Sequence, residues 1–377
     1  MARSNLYLTA LMVGVAASAC AAGGGKKPQT EANQARDLLL KTLDRNYKSN
    51  VIAIISQRSP EDNGSYQQIQ VQISRDGKVR QTVISPLTMQ GIEKIDDGKQ
   101  SATILPDDKV ILVQESPRTL PDDSETRINL TVRNYGLTLG GTTTVAGQRA
   151  SIVIAKPRYA GLQSKRYHID ERTGFVLKLE TLDSKGTPTV AFQAQKVTYP
   201  AVIGASAFSL DLDKRDGFQI ITQRRTGFLD SSARGHASVG FAPTFPQELP
   251  CGFEIQDAQV NDSGNHRSVA IRITDGPVKG TVYQYSLATA KRMKAMPGTT
   301  IGDGSGIRFV VAADVPETIR KKILNTFIEA ARKAESDNPI TGLFWGLELL
   351  PDEGTLSAAE ELTLEIRQFG LSFGEPI

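Results

Sequence analysis

Residues 145–199 read VAGQRASIVIAKPRYAGLQSKRYHIDERTGFVLKLETLDSKGTPTVAFQAQKVTY, and this stretch decides the fold. Ser151–Lys156 is an apolar run rich in β-branched residues, followed by strand-like segments at 166–170, 174–182 and 189–198. Turn residues separate the last three: Asp170-Glu171-Arg172-Thr173-Gly174, then Asp183-Ser184-Lys185-Gly186. Short β-prone runs joined by Asp/Gly turns predict a β-meander. Phe175, Leu177 and Leu179 alternate with Lys178 and Glu180. Strand side chains have a period of two, so one face is predicted apolar and the other wet.

Working outward, 51–117 predicts almost continuous β structure. Gln67–Ser74 alternates Ile69, Val71 and Ile73 with Gln68, Gln70 and Gln72. Further strands are predicted at 51–58, 79–85, 92–95, 100–105 and 110–114, with turns at Arg75-Asp76-Gly77-Lys78, Asp96-Asp97-Gly98-Lys99 and Pro106-Asp107-Asp108-Lys109. A helix over 31–47 places Ala35, Leu38, Leu39, Thr42, Leu43 and Tyr47 on one face. Another could start near Asp122-Asp123 and reach Tyr135, with Gly136–Gly141 expected as a break. Residues 204–243 are expected as a connection. A smaller domain over 244–335 is predicted from strands at 253–260, 268–274, 281–287 and 307–312 and a helix over 316–334. Its apolar face is Ile319, Ile323, Leu324, Phe327 and Ala331, with Asp314 a candidate N-cap.

The 377 residues, 39% hydrophobic and 23% charged, leave room for two ordinary domains. A net charge of +3 is too small to point to nucleic acid. Met1–Gly25 has a basic start, an apolar run and small residues before Cys20, which predicts an export signal. Cys20 leaves two cleavages open. Either Cys20 is the lipidated first residue of a lipobox, which here has Ala17 where Leu is usual, or cleavage is ordinary at an A-x-A site, Ala17-Ser18-Ala19 or Ala19-Cys20-Ala21. The other cysteine, Cys251, gives no disulfide framework after cleavage.

The words Val145-Ala146-Gly147-Gln148-Arg149, Tyr167-His168-Ile169-Asp170, Thr173-Gly174 and Asp183-Ser184-Lys185-Gly186 together resemble the periplasmic regulators of the MucB/RseB family. The turn Leu249-Pro250-Cys251-Gly252-Phe253 is similar to the head of that family's second domain. The resemblance implies an α+β protein. Its first domain (31–203) would be an unclosed antiparallel β-barrel with packing helices, as in the carriers LolA and LolB. A smaller α+β domain and an extension over 336–377 would follow. It also implies a periplasmic or envelope location and binding to a membrane-anchored anti-sigma factor, relieved by lipid signals.

The residues themselves offer little catalysis. His168, His236 and His266 lack metal-ligand spacing, and no hydrolase, metalloprotease or P-loop signature is present. Gly302-Asp303-Gly304-Ser305-Gly306 precedes a strand rather than a helix, so it is expected as a loop, not a phosphate cradle. No cofactor or metal is called for. Binding remains. Ile69, Val71, Ile73, Phe175, Leu177 and Leu179 are the candidate lining for lipid or lipoprotein acyl chains, against the commoner reading of any one of them as ordinary core beneath the helix. Arg158, Lys165 and Arg166 are candidates for contact with an acidic partner or anionic headgroups. Three readings stay open: the regulator, a LolA/LolB-like carrier, and an envelope interaction protein with no bound lipid.

Overall fold

The computed structural model describes residues 28–43, 49–58, 65–119, 123–228, 239–262, 267–290 and 293–337. Tyr47, His236, His266, the predicted signal segment with Cys20 and the extension beyond 337 lie outside the described residues.

The chain begins with helix α1 (Pro28–Leu43), whose Ala35, Leu39 and Leu43 are buried as the helical spacing requires. Strands β1 (Val51–Arg58), β2 (Tyr66–Ile73), β3 (Val79–Ser85), β4 (Glu93–Asp96), β5 (Gln100–Leu105) and β6 (Val110–Glu115) follow as successive antiparallel neighbours. Helix α2 (Ser124–Asn134) then leads directly into β7 (Tyr135–Val145). The meander supplies β8 (Gln148–Pro157), β9 (Ser164–Asp170), β10 (Val176–Leu182) and β11 (Pro188–Thr198). Pairing of β1 with β11 joins the two halves into one sheet. β12 (Gln219–Thr222) extends it by running parallel to β6. The twelve-stranded order is β12-β6-β5-β4-β3-β2-β1-β11-β10-β9-β8-β7, so its two ends, β12 and β7, are not neighbours and the sheet is unclosed.

Three expectations are corrected. Helix α2 does end at Asn134, before Gly136–Gly141, but these residues are no gap ahead of the meander: Tyr135–Val145 is a continuous strand, with its register shifting between Leu139 and Thr142. A β-bulge absorbs the two glycines, one of which, Gly141, has φ +86. The stretch 204–243 is more than a connection. It carries β12 of the first sheet and β13 (Arg224–Phe228), the first strand of the second. The Gly302–Gly306 run is part of a hairpin rather than a loop.

The second sheet adds β14 (Glu254–Asp262), β15 (Arg267–Thr274), β16 (Lys279–Ser286), the short helix α3 (Leu287–Ala290), β17 (Thr299–Gly304) and β18 (Ile307–Ala313). Its order is β13-β14-β15-β16-β18-β17. Helix α4 (Glu317–Asp337) lies on it through Ile319, Ile323, Leu324, Phe327 and Ala331, the face expected from sequence. Phe327 meets Phe309 with ring centroids 6.1 Å apart. The glycines of β17 serve this packing. A Cβ on Gly302 or Gly304 would come within 3.0 Å of Leu324 or Ile328 side-chain atoms, so the bare backbone lets α4 approach.

Candidate functional site

Alternation along β2 works as the sequence predicts. Ile69, Val71 and Ile73 are buried in one cluster with Val51, Ala53 and Ile55 of β1 and Val83 of β3. Phe175 and Leu177 belong to that cluster, and Leu179 packs against the adjoining cluster beneath α1, with Tyr167 and Phe192 as strand partners. Val176 is buried as well, because the register shift between Val176 and Lys178 brings two successive residues inward. The candidate lining is thus gathered on the inner face of the open sheet, with α1 covering the β7–β10 side.

The other face of β10 is not open to water as expected. Glu180 is buried and takes Lys178 Nζ at 2.7 Å, His168 Nε2 at 3.1 Å and Arg166 Nη1 at 3.2 Å. Burial works against its charge, but the hydrogen bonds from Lys178 and His168, the Lys178 charge and Arg166 prevail and hold the carboxyl down to about 2. Burial pushes the His168 imidazole below its ordinary value despite Glu180.

The three basic candidates do not form one cluster. Lys165 and Arg166 are consecutive in β9, and successive strand side chains leave opposite faces. Arg166 goes to Glu180, while Lys165 is buried and its Nζ donates to Asp314 Oδ2 of the second domain at 3.0 Å. Arg158 is exposed just after β8.

That ion pair is one edge of a polar junction between the two sheets. The Tyr135 hydroxyl donates to Asp275 Oδ2 at 2.6 Å, and the Val278 N–H donates to Asp275 Oδ1 at 2.9 Å. Asn134 Nδ2 donates to the carbonyls of Gly252 and Asp275, each at 2.9 Å. Arg133 pairs with Glu254 at 2.6 Å, and Gln256 donates to Asp123 at 2.7 Å. Burial pushes the Asp275 carboxyl up to about 6, against the pull of the Tyr135 hydroxyl and the Val278 N–H. Burial and the neighbouring Asp275 raise Tyr135 above the ordinary phenol range.

Two glycines permit the close approach. A Cβ on Gly276 (φ +111) would lie 2.6 Å from the Thr131 backbone nitrogen, and one on Gly252 (φ +76) would lie 2.6 Å from Asn134 Oδ1. The Leu249–Phe253 turn therefore sits at this junction. Cys251 within it is half-buried with φ 59, and burial raises its thiol. No local pattern signals the junction, because its partners across the two sheets are more than 100 residues apart.

Among the described residues, no group of three or more His, Cys, Asp or Glu side chains could hold a metal. No described helix is long and apolar enough to cross a membrane.

The fold is that of a two-sheet α+β protein, with an unclosed antiparallel sheet docked on a smaller α+β unit. The family model described as the MucB/RseB N-terminal domain matches residues 44–209. Among solved structures, the crystal structure of MucB superposes with a TM-score of 0.54 at 16% identity, covering 78% of this chain and 97% of that one. MucB in complex with MucA(peri) gives 0.51 at 19% identity, over 77% and 96%. The MucA/MucB complex of Pseudomonas aeruginosa gives 0.51 at 17% identity, over 77% and 96%. No curated protein matches the chain's sequence.

Proposed function

We propose that this chain is an extracytoplasmic regulatory binding protein. It binds the periplasmic segment of a membrane-anchored anti-sigma factor and answers to lipid held on the apolar inner face of its first sheet. The observation that carries the partner is architectural. The likeness to MucB spans both sheets, and MucB has been solved as a complex with MucA(peri). The lipid half is supported by the composition of the inner face, where Ile69, Val71, Ile73, Phe175 and Leu177 form a buried apolar cluster. Burying an acyl chain there yields about 0.8 kcal/mol per CH2 without directional contacts.

The deciding experiment is a mild crosslink and pull-down of the mature protein from its own envelope, with proteins and lipids read by mass spectrometry. A single-span membrane protein recovered at near-equal amounts is the expected result. Lipoprotein or acyl lipid recovered without such a partner overturns the regulator in favour of a LolA/LolB-like carrier. The second domain argues against that alternative, since plain carriers have one domain. The N-terminal peptide of the same sample reads whether Cys20 is acylated.

A further inference from the structure

Among the described residues the two sheets end in four edge strands, β12, β7, β13 and β17. Three are short: β12 has four residues, β13 five and β17 six, whereas β7 has eleven. An edge strand carries a row of backbone N–H and C=O groups without a neighbour, and folds ordinarily blunt it with shortness, charge, proline or a cover. β7 (YGLTLGGTTTV) has no charged residue and no proline. Helix α1 packs on its inner face, in one cluster with Tyr135 and Leu137. Thr138, Gly140, Gly141, Thr142 and Thr144 are exposed. The bulge at Gly140-Gly141 interrupts the edge without adding a side chain to obstruct it.

The hairpin decides which backbone groups point outward. Ala146 and Gly147, with φ 49 and 76, form a two-residue turn that makes Val145 and Gln148 a hydrogen-bonded pair. Alternation then turns the N–H and C=O of Thr144 and Thr142 away from β8. Beyond the bulge, the Arg158 N–H donates to the Asn134 carbonyl at 2.8 Å, so Leu137 and Leu139 turn theirs outward in the same way. Among the described residues, none of these four bonds to the backbone of a further segment. The outer face beside the edge has its own chemistry. Thr138 stands opposite Ile154, Gly136 opposite Lys156 and Thr144 opposite Arg149. Because Leu137 and Val145 are buried on the inner face, these pairs share the outer one. Ile152 and Ile154 are half-buried there, and Ile152 leans over the edge: a Cβ on Gly140 would lie 2.7 Å from its Cγ2. Lys156 and Arg149 are exposed at either end, roughly 23 Å apart along β8. Carboxylates on the adjoining strand and turn are already engaged, Glu180 by Lys178, His168 and Arg166, and Glu171 by the Ser151 hydroxyl.

We propose that β7 takes up an extended segment of the partner protein as a further strand of the first sheet, a segment acidic at both ends and apolar between. Backbone bonds to the outward groups of Leu137, Leu139, Thr142 and Thr144 require an extended chain. Charge selects among extended chains: Lys156 and Arg149 meet acidic residues about seven positions apart, and Ile152 and Ile154 meet branched side chains between them. A second copy of this chain, paired through its own β7, would bring its Arg149 and Lys156 alongside, and like charges oppose that pairing. This seat rests on the partner-binding reading and adds where on the molecule the partner's chain lies.

The test uses the full mature chain and three synthetic peptides followed by calorimetry: Ac-DEVTVTVED-NH2, the sign-reversed Ac-KRVTVTVRK-NH2, and the acidic peptide N-methylated at its five central residues, which keeps the charge and loses the backbone donors. The acidic peptide is expected to bind at least tenfold more tightly than either of the others. Thr144→Pro removes one outward N–H at an edge position, where proline is tolerated, and is expected to lose that tenfold. Arg149→Glu combined with Lys156→Glu, both exposed, should lose as much and prefer the reversed peptide. Each variant is checked for an unimpaired thermal melt, and the charge variant and the N-methylated peptide decide the matter if Thr144→Pro fails it. If N-methylation or Thr144→Pro leaves the affinity unchanged, the attraction is charge alone and strand addition is overturned. If the reversed peptide binds equally well, or no peptide binds, the acidic occupant is overturned. If the chain sediments as a dimer that Thr144→Pro dissociates, a second copy owns the edge and the partner segment is overturned. The envelope pull-down separates the two readings. A single-span protein recovered equally by the natural chain and by Thr144→Pro keeps the regulator and removes the seat, whereas no such protein from the natural chain removes the regulator whatever the peptides do.

Discussion

At the junction of the two sheets, the Tyr135 hydroxyl, the Asn134 amide and the Lys165 ammonium all meet acceptors across the interface. On the inner face of β3–β5, the Gln81 amide and the Ser101 hydroxyl are as deeply buried and meet none. Both regions place polar groups where apolar ones would cost less. The junction uses them to fix one relative arrangement of two sheets, since hydrogen bonds between Asn134 and two carbonyls allow no sliding. The inner face leaves bonding capacity unused, at a cost to the fold. The difference separates polar burial that is answered across an interface from polar burial left without a partner.

Substitutions can break that contrast. The largest effect is expected from Gly276→Ala, which adds a Cβ against the Thr131 backbone at a positive φ. A loss of about 4 kcal/mol is expected from strain and overpacking together. Urea unfolding would show it, and limited proteolysis between the sheets should quicken.

The next is a pH effect. Asp275, at about 6 in the folded chain against 3.8 ordinarily, holds its proton to higher pH than in the unfolded chain. Its stabilising contribution is therefore complete below about pH 4 and falls as pH rises through about 6. The span is on the order of 3 kcal/mol. Tyr135, Tyr167 and Cys251 face it, all raised above their ordinary values and so titrating well above that window; the charged Lys165 also faces it. Melts of the natural chain between pH 4 and 7 should slope downward, and Asp275→Asn should flatten them. Glu180, held to about 2, works the other way. Its contribution is present above about pH 4.5 and is lost as pH falls toward 2, so Glu180→Gln should blunt acid unfolding only.

Tyr135→Phe removes one donor from the buried Asp275 and is expected to cost about 2 kcal/mol in urea unfolding. The smallest change carries the opposite sign. Gln81→Leu removes an unsatisfied amide from a site beside Val71 and Val79 and should stabilise the unliganded chain by about 1 kcal/mol. A destabilised Gln81→Leu would erase the contrast between the two regions.

Much of the fold was legible in the chain. The β2 alternation, the bounds of β3 and β5, the meander turns and the buried stripe of α4 all follow from local period and turn chemistry, which act over a few residues. Three features were not legible. The glycines of β7 read as a break because a bulge and a break use the same residues. Glu180 read as solvated because alternation gives a side chain's face but not what covers it. Lys165 and Arg166 read as one patch because adjacency in sequence hides their opposite directions in a strand.

The sequence by itself determined most of the strands and helices, which faces of β2 and α4 are apolar, and the resemblance to the MucB/RseB family. Tertiary structure alone decided that Asn134 and Tyr135 lock onto Gly252 and Asp275, that β12 returns beside β6, and that Gln81, Lys94 and Ser101 share a buried face. The physical reason is range. Propensity and periodicity are set by neighbours along the chain, whereas a hydrogen bond's worth depends on whether a group more than 100 residues away arrives to accept it.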